Sequence, residues 1–499
     1  MSQSVDTEPG QDHVSRKRAL PLWAAVALSL ALIGPTLAMS GNGQFLAGTV
    51  GKGIPLVFLI GLVAVSLVGY GFVRLTRHLN HAGSAYGLVG GTLGPRAGFF
   101  AGWAMLGAYV GFAIGTLALT AAFVNALLAE LQPNSDNPFQ ISWYITVLVG
   151  LAISATVAGR DVHSVAKVLI AIEGVGIVAM VILSVTILGK GGAPTTGIDF
   201  SVFTFGAGVT PSLVLAGVVS AFLSWAGFEA CASLGEETAD PKRNIPRALT
   251  GALILTGVLF ILVMFAQTVG FGTDAAGLEA FASSGNTLGD LGHQYIGSWF
   301  SVIIVFTATI AAFGCHLATT ATSGRMLFAF ARNGLGPRAL QHTSKANSPQ
   351  TAMWFVLAIC LVANGISYFT GWPGGDPLHG DPISSYALFA IAGSACLMIT
   401  YFMVEVAAAY FVSARRFDHI HQRQGVVLGT VLPVIGAIVI VVVLWFNVKD
   451  SESWDNPPLL GLYWVAIGLV VTFLAGVSAR VGSSLSQELS LDPAASIAP

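Results

Sequence analysis

Residues 224–247 read SWAGFEACASLGEETADPKRNIPR, and within this stretch the chain passes from aromatic and apolar residues to heavily charged ones. A glycine stands beside aromatic residues, and Glu229 follows within the apolar run. Two adjacent glutamates then precede a basic segment that contains two prolines. The meaning of this pattern depends on the solvent that surrounds the chain.

The composition indicates that this solvent is lipid. Of the 499 residues, 54% are hydrophobic and only 9% are charged, and the mean hydropathy is +0.77; a water-facing surface needs more polar residues. Residues 53–73 carry no charge and match the roughly 20 residues that cross about 30 Å of hydrocarbon. The pattern predicts an all-α integral membrane protein with about twelve transmembrane helices. They begin near Leu20, Ile54, Arg96, Ile141, Val162, Pro211, Ala248, Ser298, Thr351, Pro382, Gly425 and Leu459.

The basic residues predict how these helices are oriented. If the basic residues at 15–18 are cytoplasmic, 19 of the 22 lysine and arginine residues fall on that side, and only Lys52, Lys190 and Lys449 fall outside. We therefore expect a multi-pass protein of the cell membrane, surrounded by lipid, with both termini in the cytoplasm. The polar N-terminus, residues 1–19, and the tail, residues 482–499, flank the membrane part. The first apolar segment is long and has no small-residue cleavage site, so no signal peptide is expected.

Other classes of protein find little support. A net charge of −2 provides no basic field for nucleic acid. An enzyme would need a convergent catalytic set, but the chain has no HExxH, GxSxG or glycine-rich phosphate loop. The four cysteines lie in apolar stretches without the spacing of metal ligands, which is typical of small core residues. We expect neither a metal nor a cofactor.

Two of the predicted helices are interrupted. The first contains Gly34-Pro35 in its middle and the sequence SGNG at 40–43, and the sixth contains Ser224 and Gly227. In lipid an unpaired backbone group costs several kcal/mol, so a helix breaks only where protein or a water-filled cavity supplies partners. A single glycine in a chain with 59 glycines is more often a helix contact. Two breaks five helices apart favour an inverted-repeat transporter with its substrate site near the membrane midplane.

This arrangement predicts five helices plus five, followed by two additional ones. The first repeat covers residues 20–190, the second covers 191–424, and the additional helices cover 425–481. The first and sixth helices are the discontinuous ones.

Three stretches resemble one family. Residues 224–249 look like the sixth-helix signature of the amino acid-polyamine-organocation superfamily. Residues 78–103 and 323–337 are similar to its region between helices two and three and to its end of helix eight. The resemblance covers roughly residues 20–480 and implies an amino acid permease-like transporter with the leucine-transporter fold. In such a protein the substrate carboxylate sits on N–H groups of the broken first helix. Its ammonium lies near carbonyls of helices one and six, as the dipoles of half-helices favour.

The first helix departs from the family pattern. The common signature of glycine, small residue, glycine, isoleucine and phenylalanine is absent, and its place falls near Gly34, Pro35, Thr36, Leu37 and Ala38. Proline has no N–H, so a carboxylate would need Thr36, Leu37 or Ala38, or else the break lies at 40–43. The predicted substrate site joins this segment to the second break, which consists of Ser224, Trp225, Ala226, Gly227 and Phe228.

Aromatic residues next to the second break allow two interpretations. Trp225, Phe228 and Phe222, with Tyr109 from the third helix, would close over a substrate and offer a cation–π contact to an amine. Alternatively these rings pack against other helices or face lipid.

Ionisable residues within the spans are costly and therefore functional candidates. We interpret Glu173 as a proton acceptor or coupling-cation partner, or else as a residue hydrogen-bonded between helices. In the family, a lysine on this helix can stand where a sodium ion binds in other members, but that position falls nearer Gly176 here. His316, with an ordinary pKa near 6.5, is an alternative proton carrier or a packing residue. The Thr319 hydroxyl would ligate sodium or bond to its own helix.

The remaining acidic residues have different settings. Glu229 is expected to brace the broken helix by accepting backbone N–H bonds, and Glu405 to be structural. Glu236 and Glu237, with Arg247, form either a cytoplasmic gate of ion pairs or a solvated loop whose pairs contribute little.

The sequence thus predicts a secondary active transporter that imports an amino acid by alternating access, coupled to protons or sodium. It leaves open a transporter of a polyamine or another organic amine, and a substrate sensor without flux.

Overall fold

The computed structural model describes residues 21–79, 84–132, 135, 138–158, 162–206, 208–234, 238–344, 349–413, 427–449, 451 and 453–474. Over these residues every extended regular element is a helix, and only two isolated β-bridges occur. The α-helices are α1 (Leu22–Ile33), α2 (Pro35–Gly41), α3 (Gly43–Val50), α4 (Ile54–Leu75), α5 (Ala85–Leu93), α6 (Pro95–Glu130), α7 (Trp143–Val157), α8 (Val162–Gly189), α9 (Pro211–Trp225), α10 (Pro241–Phe271), α11 (Ala275–Ser283), α12 (Thr287–Tyr295), α13 (Ser298–Arg332), α14 (Gln350–Thr370), α15 (Pro382–Ser413), α16 (Leu432–Val448) and α17 (Pro457–Leu474).

Many of these helices suit a membrane. Within the described ranges, eight helical segments are long and apolar enough to span one, and α7, α9 and α17 are shorter apolar helices. Exposed apolar stripes, such as Ile145, Val149 and Ile153 on α7, are typical of lipid-facing surfaces. The prediction of an all-helical, multi-pass membrane protein is confirmed. The count of twelve crossings and the inverted repeat stay predictions.

The long helix α6 packs closely against both α13 and α15. Glycines make the contact between α6 and α15 possible. A Cβ atom at Gly111 would lie 2.6 Å from the Phe389 carbonyl oxygen, and one at Gly393 would lie 2.9 Å from that of Ala108. Small residues at such contacts let two helix backbones approach each other in lipid. This close pair supplies one wall of the site described below.

Connecting segments contact one another at one end of the bundle. Lys52 Nζ lies 3.3 Å from Asp199 Oδ2, which also accepts a 3.1 Å hydrogen bond from the Thr273 hydroxyl. Hydrogen bonds from Ser201, followed by those from Lys52 and Thr273, lower the pKa of Asp199 to about 2. Nearby, Lys190 donates a hydrogen bond to the Tyr295 carbonyl oxygen. Lys52 and Lys190, two of the three lysines predicted to lie on the non-cytoplasmic side, therefore both contact segments that connect the long helices.

Candidate functional site

The first helix is interrupted at both places that the sequence offered. The helix α1 ends at Ile33, Gly34 takes the left-handed conformation (φ 59°, ψ 62°), and α2 starts at Pro35. Glycine adopts a positive φ without strain, and proline suits a first helical position because its missing N–H is not needed there. The first helix is interrupted a second time at Asn42, between α2 and α3.

The break in the predicted sixth helix, which is the second break defined above, lies where the sequence predicted it and touches the break at Gly34. The helix α9 ends at Trp225, Gly227 has φ 100°, and a 3₁₀ segment, Phe228–Leu234, follows. A Cβ atom on Gly227 would lie 3.0 Å from the Leu32 carbonyl carbon and 3.2 Å from the Ile33 nitrogen. The two breaks are therefore in close backbone contact, and both this contact and the positive φ favour a glycine at position 227.

A small cavity of about 30 Å³ lies at this junction. It has room for about two water molecules and not for a larger ligand without movement of its walls. The described lining contains no lysine, arginine, aspartate or glutamate. The lining residues are Leu32, Ile33, Leu37, Ala38, Asn42, Tyr109, Phe112, Thr116, Leu223, Ala226, Gly227, Cys315, Thr319, Tyr386 and Ala390.

The ends of two helices border the cavity. Leu32 and Ile33 are the last two residues of α1, and Ala226 directly follows the end of α9. The last carbonyl groups of a helix lack partners within it, and together they carry about half a negative charge. An apolar cavity bordered by two such ends suits a ligand with an apolar body and a positive group.

Glu173 lies against the first break. Its Oε1 atom accepts a 2.7 Å hydrogen bond from the Thr36 backbone N–H and a 2.9 Å bond from the Thr36 hydroxyl. A Cβ atom at Gly176 would lie 2.2 Å from Thr36 Oγ1, so this glycine lets α8 approach the break closely. Glu173 is 5% exposed, and Thr36 is fully buried. Neither residue is part of the described cavity lining.

Glu229 stabilises the second break through hydrogen bonds to its carboxylate. Its carboxylate accepts hydrogen bonds from the Tyr109 hydroxyl (2.8 Å), the Tyr401 hydroxyl (2.8 Å) and the Gly227 backbone N–H (3.2 Å). The side chain is completely buried. Because Tyr109 lines the cavity, one hydrogen bond connects Glu229 to the cavity wall.

The four aromatic residues that were predicted to form a gate lie in two different environments. Trp225 is buried, with ring centroids 5.6 Å from Phe58 and 5.4 Å from Phe260. Phe228 packs against Phe72 and Tyr401, and Phe222 is also buried. Of the four predicted rings, all of them described, the structure places Tyr109 alone on the cavity wall.

The two alternative coupling residues on α13, His316 and Thr319, also lie in different environments. His316 Nδ1 lies 2.8 Å from the Ala113 carbonyl oxygen and Nε2 lies 3.2 Å from Ser154 Oγ, so the ring is held between α13, α6 and α7. Thr319 lines the cavity, and its hydroxyl donates to the Cys315 carbonyl oxygen at 2.7 Å. The structure therefore brings Thr319, and not His316, to the cavity.

Tyr386 and Asn42 line the cavity and are joined by a hydrogen bond, although the sequence analysis named neither as a site residue and only offered residues 40–43 as an alternative break. The Tyr386 hydroxyl donates to Asn42 Oδ1 at 2.6 Å, and Asn42 Nδ2 donates to Ser224 Oγ at 2.8 Å. This chain of bonds joins α15, the second interruption of the first helix and α9. The glycines beside Asn42 were a usable signal, whereas nothing in its local sequence distinguishes Tyr386.

The other acidic candidates lie elsewhere. Glu405 accepts a 3.1 Å bond from the Gly71 backbone N–H and also lies against Gly436, which places it between α4, α15 and α16. Glu236 and Glu237 lie outside the described residues, and Arg247 is exposed. The cytoplasmic gate that these three residues would form stays a prediction.

Comparisons with known proteins identify relatives along nearly the whole chain. Residues 20–467 match the family model described as "Amino acid permease". The chain is 25% identical over 477 residues to the "Low-affinity putrescine importer PlaP" of Escherichia coli (strain K12), covering 94% of this chain and 95% of that one. It is 23% identical over 473 residues to the "Branched-chain amino acid permease BcaP" of Lactococcus lactis subsp. cremoris (strain MG1363), covering 90% and 93%. These relatives confirm the resemblance drawn from the three sequence stretches.

Proposed function

The chain belongs to the amino acid permease family, whose members here are transporters and not enzymes, and on this basis we propose that it imports a small solute carrying an ammonium group. The proposed mechanism is secondary active transport by alternating access across the cell membrane. The substrate binds between the two helix breaks, where the small cavity widens to hold it during the transport cycle.

The observation that carries this proposal is the meeting of the two breaks at the cavity. The carbonyl ends of α1 and α9 border it, and they favour a cation over an anion. No described lining side chain is positively charged, so nothing on the wall repels an ammonium group. Putrescine and branched-chain amino acids, named for two relatives, both carry such a group.

The architecture proposed for this function follows the sequence analysis. In it, α1, α2 and α3 together form the first crossing, and α9 with the 3₁₀ segment Phe228–Leu234 forms the sixth. These broken helices take corresponding positions in two five-helix repeats, residues 20–190 and 191–424, and α16 and α17 are additional. Both termini lie in the cytoplasm. Broken helices at matching positions of two repeats are the arrangement that many transporters use to bind substrate at the midplane.

A flux measurement tests the proposal against a receptor that binds without transport. Purified protein in liposomes that contain unlabelled amine or amino acid is expected to accumulate the labelled compound by counterflow. A screen of amines and amino acids by thermal shift, with and without sodium and at two pH values, selects the compound to use. Binding without exchange would identify a sensor and contradict the transport proposal.

We assign coupling to Glu173, because this buried carboxyl group contacts the backbone of the first break directly. A proton that binds there, or a cation beside it, changes the charge at the joint between α1 and α2. Thr319 on the cavity wall is the second candidate, as a ligand for sodium. His316 is a packing residue in this proposal, since both of its ring nitrogens contact groups of α6 and α7.

Glu173→Gln is expected to abolish accumulation driven by a proton or sodium gradient while counterflow without a gradient continues. The amide keeps an oxygen that accepts the Thr36 N–H bond, but it neither gains nor loses a proton and carries no charge. The measurement compares uptake with and without an imposed gradient in the same liposomes. Glu405→Gln is the matched control, because Glu405 is an equally buried carboxyl group away from both breaks. Gradient-driven accumulation at the wild-type level in the Glu173 variant would contradict the assignment.

A further inference from the structure

The short helix α12 packs against α2, the middle segment of the broken first helix. The hydroxyl of its first residue, Thr287, lies 3.1 Å from the Met39 carbonyl oxygen and 3.2 Å from that of Ser40, so the two oxygens share its hydrogen. Ser40 is fully buried. The helix α12 finishes at Tyr295, whose carbonyl oxygen accepts a hydrogen bond from Lys190. Because Lys190 is predicted to lie outside, α12 covers α2 at the outer end of the bundle in the proposed orientation.

A pair of ionisable side chains joins α12 to α6. Nδ1 of His293, in the last turn of α12, lies 3.2 Å from Oε2 of Glu130, the last residue of α6. The His293 side chain is 50% exposed, so protons from the surrounding water reach it, whereas the Glu130 side chain is 14% exposed. The two residues stand 163 positions apart along the chain. The pair is therefore a contact between two separate elements.

The surroundings of this pair are negative. Asp290 lies three residues before His293 on the same helix, which places both on one face, and it accepts a 2.6 Å hydrogen bond from the Ser284 hydroxyl. Burial raises the pKa of Asp290, the Ser284 bond opposes this, Glu130 adds to the increase and His293 reduces it. The pair also lies at the C-terminal turns of α6 and α12, where each helix dipole contributes about half a negative charge. A positive charge on His293 therefore meets two carboxyl groups and two helix ends.

Other charged groups on the neighbouring elements are more distant or exposed. The helix α12 packs against α2, α8, α10 and α13. Of these, α2 has no lysine, arginine, aspartate or glutamate, α10 has none after Arg247 and α13 has none before Arg325. Glu173 of α8 is bonded to the first break. Lys190, directly after α8, and Glu279, on the preceding helix α11, are exposed, so water and salt screen their charges. The groups that face the histidine closely are therefore the acidic ones.

We propose that His293 and Glu130 form a pH-dependent latch, in which protonation of His293 from the outer solution holds α12 on α6 and keeps α2 covered. A charged histidine attracts a carboxylate more strongly than a neutral one does, so the closed contact binds the proton more tightly than an open one. By linkage, lowering the pH favours the closed contact and raising the pH weakens it. The change falls between about pH 5 and pH 8, where histidine side chains change charge. The inference goes beyond the proposed function, because it requires neither a particular substrate nor coupling at Glu173.

The test measures how readily a thiol beneath α12 reacts from outside. Ser40→Cys supplies the thiol, because Ser40 is fully buried and its hydroxyl has no hydrogen-bond partner among the described residues. Intact cells that express the full chain are treated with a membrane-impermeant thiol reagent at about pH 8 and about pH 5.5. The four native cysteines are buried, and the chain without the probe gives their background. Each rate is divided by the rate for Ser40→Cys combined with His293→Gln at the same pH, which cancels the titration of the thiol itself.

For the probe in the otherwise unchanged chain, we expect this ratio to fall about threefold from the higher to the lower pH, as is typical of a partly exposed ion pair. Glu130→Gln removes the negative partner and is expected to make the ratio independent of pH. His293→Arg keeps its charge at both pH values, so labelling is expected to be slow at the higher pH as well. The matched control is His379→Gln, which changes an exposed histidine between α14 and α15 and is expected to keep the wild-type fall.

A ratio that stays constant with pH would overturn the inference, and so would a wild-type pH dependence in Glu130→Gln. If Ser40→Cys does not reach the membrane, Gln44→Cys is the probe, because Gln44 is also buried and its side-chain oxygen and nitrogen have no partner among the described residues. If a probe that reaches the membrane is not labelled at any pH, α12 does not open and the inference is wrong. Failure of counterflow contradicts the proposed function and leaves the labelling result unaffected, so the two failures are distinguishable.

Discussion

Replacing Glu229 by leucine is expected to abolish uptake and to lower the free energy of unfolding by about 3 kcal/mol or more. The carboxylate satisfies three buried donors: the hydroxyls of Tyr109 and Tyr401 and the N–H of Gly227. A buried donor left without a partner costs about 1–3 kcal/mol. Leucine has a similar volume but no acceptor, so all three donors lose their partner at once. Thermal unfolding in detergent and uptake in liposomes are the measurements.

Three milder variants locate the cause of the effect. Glu229→Gln keeps one accepting oxygen and is expected to fall between the wild type and the leucine variant. Tyr401→Phe and Tyr109→Phe each remove one hydrogen bond, but only Tyr109 lines the cavity. We therefore expect both to lower stability by about 1 kcal/mol, and Tyr109→Phe in addition to change the apparent affinity for substrate. Wild-type melting and uptake in Glu229→Leu would show that the carboxylate does not brace the break.

The positions of the breaks could be predicted from the sequence because backbone conformation is a local property. Gly34 needs a positive φ and is followed by a proline, and Gly227 stands at the end of an apolar helix. Both signals are contained in a few adjacent residues. In the same way, SGNG at 40–43 marked the second interruption, although the sequence offered it as an alternative to Gly34-Pro35 and the structure contains both.

The partners of the buried polar groups could not be predicted. Glu173 was recognisable as a costly residue within a span, but Thr36 lies 137 positions away along the chain. The bond therefore depends on how α8 packs against the first break, which in turn depends on the space left at Gly176. Tyr386 was missed for the same reason, since its partner Asn42 is 344 positions away.

Side-chain direction at a break is equally hard to infer. Helical periodicity predicts which residues share a face, but α9 ends at Trp225 and the chain continues through Gly227 with a positive φ. Periodicity therefore stops at the residues whose direction matters. The structure turns Trp225 towards Phe58 and Phe260, and Phe228 towards Phe72. Motif position alone favoured both rings as gate residues, and their role in a gate stays a prediction.

Gly227→Val is expected to reduce uptake at least 100-fold, because it separates the two breaks that form the site. A φ of 100° is strained for any residue with a side chain and costs on the order of 1–3 kcal/mol. The new Cβ atom would lie 3.0 Å from the backbone carbon of Leu32 and 3.2 Å from the nitrogen of Ile33. Backbone atoms cannot turn away as a side chain can, so the end of α1 and the second break must shift apart by a few tenths of an ångström or more, and the cavity between them changes shape. The measurements are initial rates of counterflow and binding of the same labelled compound.

The size of the substituent and its position provide the controls for Gly227. Gly227→Ala introduces the same strain with only the Cβ atom, and we expect an intermediate loss. Gly174→Ala on α8 meets no atom within 4 Å and is expected to leave uptake unchanged. If Gly227→Val folds and binds substrate with wild-type affinity, the close contact between α1 and the second break is not needed for the site. The proposal that substrate binds between the two breaks would then lose its main support, because the backbone contact at Gly227 is what places them around one cavity.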